Sequence, residues 1–404
     1  MSLFHKENKR EAPRGHWENP QAEWHKAGEI LMHTPGPEAF DAVIHPAAGL
    51  YEDYFDAEKV ANEHRDYIRR LKRKGIVVHT VRGILEHTDT DRLRTIASHV
   101  LTYDGSHLPN LDVARMEDYR REVLYKMSRT DLIRCILLRP TVTLYESDRN
   151  TGIQGAYSYR PLMNLYFTRD QSINTPKGLI ICQMNSEQRA PETEIITLCY
   201  ERLRIYPILK ITGEGRLEGG DYFPSGDVSF IGCGMRTNDE GIRQIMEADA
   251  FGHDTVVVVR DHKFWQKQMH LDTWFNLIDK DLCTMVASRL NARKGQPEFG
   301  TCDIWKRESA GAPYRCVEKD KPFVEYLREN GFQIIPIGPE DEEHYANNFL
   351  TVAPRSIMAV AGQSRTLERH LSEAGVRVDW VPLENCIKGY GAAHCMTQVL
   401  QRRP

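Results

Sequence analysis

One unit recurs along this chain and limits what it can fold into. A charged amphipathic helix ends in a glycine, and a β-branched strand follows. Residues 63–75 read Glu-His-Arg-Asp-Tyr-Ile-Arg-Arg-Leu-Lys-Arg-Lys-Gly and lead into Ile76-Val77-Val78-His79-Thr80-Val81. Residues 323–331 close on Gly331 before Phe332–Ile337, and residues 367–375 close on Gly375 before Val376–Pro382. The apolar spacing ahead of each glycine is helical, and the glycine suits the left-handed C′ position that ends a helix. Weaker copies set Leu198–Leu203 before Ile205–Leu209 and Ile242–Met246 before Thr255–Val259. Each copy has a candidate strand upstream: Glu29–Thr34, Gly178–Gln183, Val228–Gly232, Thr284–Ala287 and Ile357–Ala361. The pattern predicts an α/β fold of about five helix-plus-strand units, either a repeat architecture or one doubly wound sheet. Periodicity alone divides evenly between the two.

Residues 85–159 break the pattern. Asp91–Leu101, Arg115–Lys126 and Asp131–Leu138 read as helices, with Asp91 and Asp131 near starts, where a carboxylate complements the dipole. This segment is expected to be a helical insertion after the first unit, leaving 1–84 and 160–404 as the main body. The polar N-terminus, Met1 to Asn19, lacks the apolar core of a signal peptide and is expected to drape flexibly. The 53 basic and 57 acidic residues give a net charge of −4, which offers no electrostatic reason for nucleic acid or an anionic membrane as partner. No apolar run approaches the ~20 residues of a membrane-spanning helix. The nine cysteines are odd in number and scattered, with no C-x-x-C, which argues against a disulfide framework or a cysteine zinc site. A reducing cytosol is the expected compartment.

Four short stretches carry candidate chemistry, each read as the end of a strand. Asn164–Asp170 ends in an Arg-Asp pair that could equally be a surface ion pair. Leu217-Glu218-Gly219-Gly220-Asp221 flanks two glycines with carboxylates, or is simply an acidic turn. In Met269–Phe275, a strand would turn His270 and Asp272 to one face. With Glu218 and Asp221 that pair leaves a metal reading open. The last stretch, Gly389–Thr397, surrounds Cys395 with small residues and His394, although a free cysteine is often only a buried apolar group. One thiol, one imidazole and several carboxylates make a kit for covalent attack with acid–base help. The excess of carboxylates selects a cationic substrate, and a planar guanidinium is gripped bidentately by such groups.

Phe-Thr-Arg-Asp, Leu-Glu-Gly-Gly-Asp, His-Leu-Asp-Thr and His-Cys-Met-Thr, in that order, resemble the arginine deiminase family of guanidino-modifying enzymes, as does Trp24–Gly36 near the start. The resemblance spans most of the chain. It implies a five-bladed pseudo-symmetric α/β propeller of ββαβ units, with a helical insertion after the first blade. It implies Cys395 as nucleophile, His270 as general acid–base, Asp170 and Asp272 as guanidinium clamps, and Glu218 as partner of the histidine. Asn164, Arg189 and Arg236 fall where the family binds the substrate α-carboxylate. Phe167 would lie against the substrate's aliphatic part, and Asp221 would be a wall residue. The family's arginine-rich run before the nucleophile is replaced here by Ile387–Ala393, so Tyr390 stands where an arginine would contact substrate.

The activity so implied is hydrolysis of free L-arginine to L-citrulline and ammonia, with no metal and no cofactor. A small guanidino molecule is the expected partner, and homo-oligomerisation stays open. Related activities share the kit: an arginine dihydrolase, a dimethylarginine hydrolase or an amidinotransferase. A silent arginine-binding protein would have no use for the nucleophile, and a metallohydrolase would be sensitive to chelation.

Overall fold

The computed structural model describes residues 19–109, 112–149 and 152–404, so the expectation for the N-terminal segment up to residue 18 falls outside it. Five three-stranded units share one connectivity: an antiparallel strand pair, a helix, then a strand parallel to the second. One unit comprises Ser172–Thr175, Gly178–Ile181, the helix Glu192–Arg202 and Leu209–Lys210. The next comprises Tyr222–Ser225, Val228–Cys233, the helix Asp239–Glu247 and Thr255–Arg260. Phe275–Asp279, Leu282–Val286, Phe323–Glu329 and Gln333–Ile337 form the following one, then Leu350–Ala353, Ser356–Val360, Arg365–Glu373 and Arg377–Val381. The first unit, Lys26–Met32, Ala57–Arg73 and Val77–Thr80, takes its antiparallel strand from the far end of the chain, Gln398–Arg403. Separate small sheets with this order are the repeat architecture, not one doubly wound sheet.

The glycines do what their positions predicted. Gly75, Gly331 and Gly375 follow the helix ends with φ of 80°, 83° and 71°, the left-handed region that other residues enter only at a cost. Helix starts are capped by side chains: Asp56, Asn238 and Ser364 each accept backbone N–H groups of the first turn. The pairing of the first and last strands builds the core beneath the cysteine loop. Ile30, Met32, Tyr67, Leu71, Met358, Val360 and Val399 pack in one buried cluster with Cys395 and Met396.

Two expectations need correcting. The strand foreseen at Ile205–Leu209 shrinks to Leu209–Lys210, because Arg204 sits at φ 59° and Pro207 has no N–H to pair. Residues 85–159 hold helices Thr90–Val100, Val113–Lys126 and Arg129–Leu138, but also a sheet of Thr102–His107, Pro140–Ser147 and Gly152–Tyr159. All eight residues of the last strand are exposed, so it has no inside–outside alternation for a sequence reading to find. A hairpin, Thr301–Lys306 and Arg315–Pro322, likewise unforeseen, extends one sheet to five strands. Among the described residues no helix is long and apolar enough to cross a membrane.

Candidate active site

The four stretches enter the site in the same way. Each lies immediately before the first strand of a unit: residues 164–170 before Ser172–Thr175, 217–221 before Tyr222–Ser225, 269–274 before Phe275–Asp279, and 389–397 before Gln398–Arg403. They are strand entries, not the strand exits expected from sequence. The shared-face argument for His270 and Asp272 also fails, because Leu271–Thr273 is a 3-10 turn and the strand begins only at Phe275. Arg189 and Arg236 come from a second kind of position, the loop after the second strand of two successive units. Gly219 and Gly220 serve close approach rather than an unusual φ. A Cβ on Gly219 would collide with the Arg169 carbonyl, and one on Gly220 would lie 2.7 Å from His270 Nδ1.

Cys395 is buried and tied down on every side. Its N–H and that of Ala392 donate to Asn348 Oδ1, at 3.1 and 2.8 Å, and its carbonyl accepts from Arg169 N at 3.0 Å. Asn348 Nδ2 donates to the sulfur at 3.1 Å and to the Asp272 carbonyl at 3.1 Å. The thiol in turn faces Asp272 Oδ2 at 3.4 Å. Burial first, then the charges of Asp272 and Asp170, push the thiol well above its ordinary value. These influences favour the thiol form of Cys395.

His270 meets two carboxylates. Its Nε2 lies 2.8 Å from Glu218 Oε2, and its Nδ1 lies 3.8 Å from Asp170 Oδ1. Burial pulls the imidazole down, but Asp170 and the Glu218 hydrogen bond outweigh it and raise His270 to about 9. Glu218 is fully buried, which opposes its ionisation, yet His270 brings it down to about 2. The two shifts agree on an imidazolium–carboxylate pair. Glu218 Oε1 accepts from Asn185 N at 2.9 Å, which fixes the carboxylate from behind.

Asp170 and Asp272 each use one carboxylate oxygen inside the protein. Asp170 Oδ2 accepts from Arg189 Nη1 at 2.7 Å, and Asp272 Oδ2 accepts from His394 Nδ1 at 2.6 Å. Their other oxygens, Asp170 Oδ1 and Asp272 Oδ1, are buried without a protein partner, as is His270 Nδ1. Asn164, Phe167, Asp170, Arg189, Arg236, Tyr390 and Cys395 line one narrow cavity, joined by Gln266 and Met269. Gly389 and Gly391 leave room beside Phe167, since a Cβ on Gly391 would fall 2.9 Å from that ring and 3.0 Å from the sulfur.

The two arginines differ. Arg189 spends its donors inside the protein, on Asp170, on both oxygens of Glu192 at 3.1–3.2 Å, and on the carbonyls of Asn164 and Phe167 at 3.4 Å. Arg236 is less committed: Nη2 donates to Gln266 Oε1 at 3.1 Å, Nη1 stands 3.9 Å from Glu218, and Nε has no protein partner. Asn164 Nδ2 is taken by the Gly49 carbonyl at 3.1 Å. Tyr390 is held at φ 65°, and burial and Glu52 raise its phenol. Asp221 does not line the cavity. Its oxygens accept from Leu271 N at 2.9 Å and Thr237 Oγ1 at 2.6 Å, so it braces the His270 loop, and burial raises it to about 6.

Asp170, Glu218 and His270 bring ligand atoms within 4.8 Å of one another. A histidine binds a metal as neutral imidazole, and its two carboxylates raise His270 to about 9, so a metal here would have to displace that proton. Sequence reading missed Asn348 and the role of His394. The unit pattern could have found Asn348, because it sits before the first strand of its unit, Leu350–Ala353, just as the four stretches do.

The fold of repeated ββαβ units has counterparts among solved structures. In fold the chain is similar to dimethylarginine dimethylaminohydrolase structures. It matches such an enzyme from Pseudomonas aeruginosa, solved with citrulline, with a TM-score of 0.55 at 19% identity over 94% of this chain and 100% of that one. It also matches the N-terminal domain of a cyanobacterial arginine dihydrolase with a TM-score of 0.56 at 16% identity, over 93% and 97%. The narrower family follows from sequence: the arginine deiminase family signature matches residues 48–402, and the chain belongs to that family. Arginine deiminases of Halobacterium salinarum and Metamycoplasma arthritidis are each 26% identical to it, covering 95% and 93% of this chain and 96% and 94% of their own.

Proposed function

We propose that the protein hydrolyses free L-arginine to L-citrulline and ammonia, with Cys395 as nucleophile. The observation that carries this reading is the set of buried, unpartnered atoms Asp170 Oδ1, Asp272 Oδ1 and His270 Nδ1 around the thiol. Two acceptors and a donor complement a planar cation whose nitrogen must leave protonated. The family membership and the arginine deiminase relatives support the same substrate.

Guanidinium arrives as a cation, because it does not lose its proton near neutral pH. Its charge offsets the carboxylates that hold Cys395 protonated, so the thiol gives its proton to solvent as the substrate enters and the resulting thiolate faces the central carbon. Attack forms the C–S bond. His270 gives its Nδ1 proton to the departing nitrogen, the C–N bond breaks, and ammonia leaves an S-alkylthiouronium on Cys395. Neutral His270 then takes a proton from water, whose oxygen attacks the same carbon. The C–S bond breaks and citrulline departs. Glu218 keeps the imidazole aligned through Nε2. Arg236, with Gln266, is the better candidate for the substrate carboxylate, since Arg189 is committed to Asp170 and Glu192. Asn164, Phe167 and Tyr390 complete the wall around the aliphatic part.

The five units form blades of a propeller around this site, built from the described residues of 19–84 and 160–404, with 85–159 inserted after the first. Pairing of the strands Lys26–Met32 and Gln398–Arg403, which brings the chain ends together, supports a closed ring. Nine unpaired cysteines fit a reducing compartment such as the cytoplasm. The test is stoichiometric. Wild-type protein should release one ammonia and one citrulline per arginine, and Cys395→Ala should release none. Ornithine with two ammonias would make the enzyme a dihydrolase, and wild-type ammonia release by Cys395→Ala would refute the nucleophile.

A further inference from the structure

His394 takes no part in the steps above, yet it touches the clamp more closely than any other side chain. The geometry points to His394, backed by Glu23, as a positioning residue that sets the orientation and charge of Asp272. This inference rests on the arginine deiminase reading for the role of Asp272. The ring is fully buried and stacks on Phe223, with centroids 5.2 Å apart and planes at 26°. Its Nδ1 lies 2.6 Å from Asp272 Oδ2, and an ionised carboxylate only accepts, so Nδ1 carries the hydrogen. The same Oδ2 faces the Cys395 sulfur at 3.4 Å.

This contact divides the labour of the carboxylate. His394 pins Oδ2, which leaves Oδ1 buried without a hydrogen-bond partner in the protein. When the thiol proton leaves, a thiolate faces Oδ2 and repels it, and the Nδ1–H is the group that keeps the carboxylate in place and ionised. Asp272 lies below the ordinary carboxylate range even though burial opposes this, and the His394 hydrogen bond is the leading opposing cause.

The far side of the ring connects to the chain ends. His394 Nε2 stands 3.5 Å from Glu23 Oε1, in the loop before the first strand. Glu23 is buried, bonded to Arg402 in the last strand, and 4.0 Å from Arg169. Arg402 also donates to the His25 and Thr351 carbonyls at 2.8 and 2.7 Å, which locks the loop in place. The charged and titratable groups around His394 are thus Glu23, Asp272, Arg169, Arg402 and Cys395. The clamp's geometry is set by the closure of the first unit, some distance from the substrate.

Two substitutions separate a hydrogen-bonding role from a packing one. His394→Phe keeps a ring on Phe223 and removes both nitrogens, while His394→Asn loses the stack but offers an amide N–H near the Nδ1 position. In the full-length protein, His394→Phe should raise KM for arginine about tenfold or more and move the acid limb of kcat/KM upward by about one pH unit. His394→Asn should hold both within about threefold of wild type. Glu23→Gln should move the acid limb in the same direction as His394→Phe, and an unmoved limb removes Glu23 from the role. The proposal is overturned if the order reverses, with Phe tolerated and Asn impaired, or if both variants lose rate with an unmoved pH profile. A second readout needs no turnover: the pH dependence of Cys395 alkylation by iodoacetamide, followed by mass spectrometry. It should move to higher pH in His394→Phe and stay in His394→Asn. If wild type releases no citrulline, the arginine reading fails, and these alkylation profiles still decide the role of His394.

Discussion

Glu218→Gln is the substitution that tests the acid–base assignment most directly. Its charge and hydrogen bond are two of the causes that lift His270 from 6.5 to about 9. That interval corresponds to about 3 kcal/mol of preference for imidazolium. Asp170 and Asp221 supply the rest of the lift and stay in place, so losing the Glu218 charge removes on the order of 1–2 kcal/mol, or roughly one pH unit. Gln keeps the shape and can still accept from Asn185. The basic limb of kcat/KM, set by loss of the imidazolium that protonates the departing nitrogen, should therefore fall from near 9 in wild type to near 8 in the variant. Stability gives a second reading. A base raised on folding stabilises fully below its unfolded value of 6.5 and loses that contribution as pH rises through about 9. Wild-type Tm should decline across that window, and the Glu218→Gln curve should be flatter. Citrulline release between pH 5.5 and 10, with Tm measured in the same buffers, provides the data. A folded variant whose basic limb coincides with wild type would show that His270 is not the titrating acid.

Four further substitutions probe the surroundings. Asp221 is raised from 3.8 to about 6, so the folded state favours its protonated form and loses stability as pH climbs through that interval. Asp221→Asn, which keeps an acceptor for Leu271 N, should raise Tm at pH 8, by up to roughly 2–3 kcal/mol in stability, and not at pH 3.5. Gly391→Ala would place a Cβ 2.9 Å from both Phe167 and the Cys395 Cβ, so we expect about 1–3 kcal/mol of destabilisation in urea titration and a loss of kcat/KM of about a hundredfold. Arg236→Lys should raise KM for L-arginine and leave a guanidine without a carboxylate, such as agmatine, nearly unchanged. Arg189→Met should instead cost about 3–5 kcal/mol of stability by stranding buried Asp170 and Glu192, and an Arg189 variant that folds normally but loses only arginine affinity would reverse the two assignments.

The sequence revealed the units better than the way they meet. Glycine at C′ and β-branched runs are local signals, so Gly75, Gly331 and Gly375 marked helix ends that the structure confirms. The strand Gly152–Tyr159 has no buried face and therefore no pattern, and it stayed hidden. The site follows the same division. Cys395, His270, Glu218, Asp170 and Asp272 were singled out because four short stretches together resemble a family, although each stretch alone had an ordinary reading. Their partners were not, because each is an ordinary residue given its part by a contact distant in sequence. Asn348 holds the sulfur across 47 positions and Glu23 reaches Arg402 across 379. The case of Arg189 shows the limit most clearly. A motif can place an arginine beside a substrate carboxylate, but only packing shows that Asp170 and Glu192 already use its donors. Arg236, Gln266 and Tyr390 line the same cavity as Cys395, and Arg236 Nε has no hydrogen-bond partner in the protein, so under the proposed reading selectivity for a free carboxylate should rest mainly on Arg236.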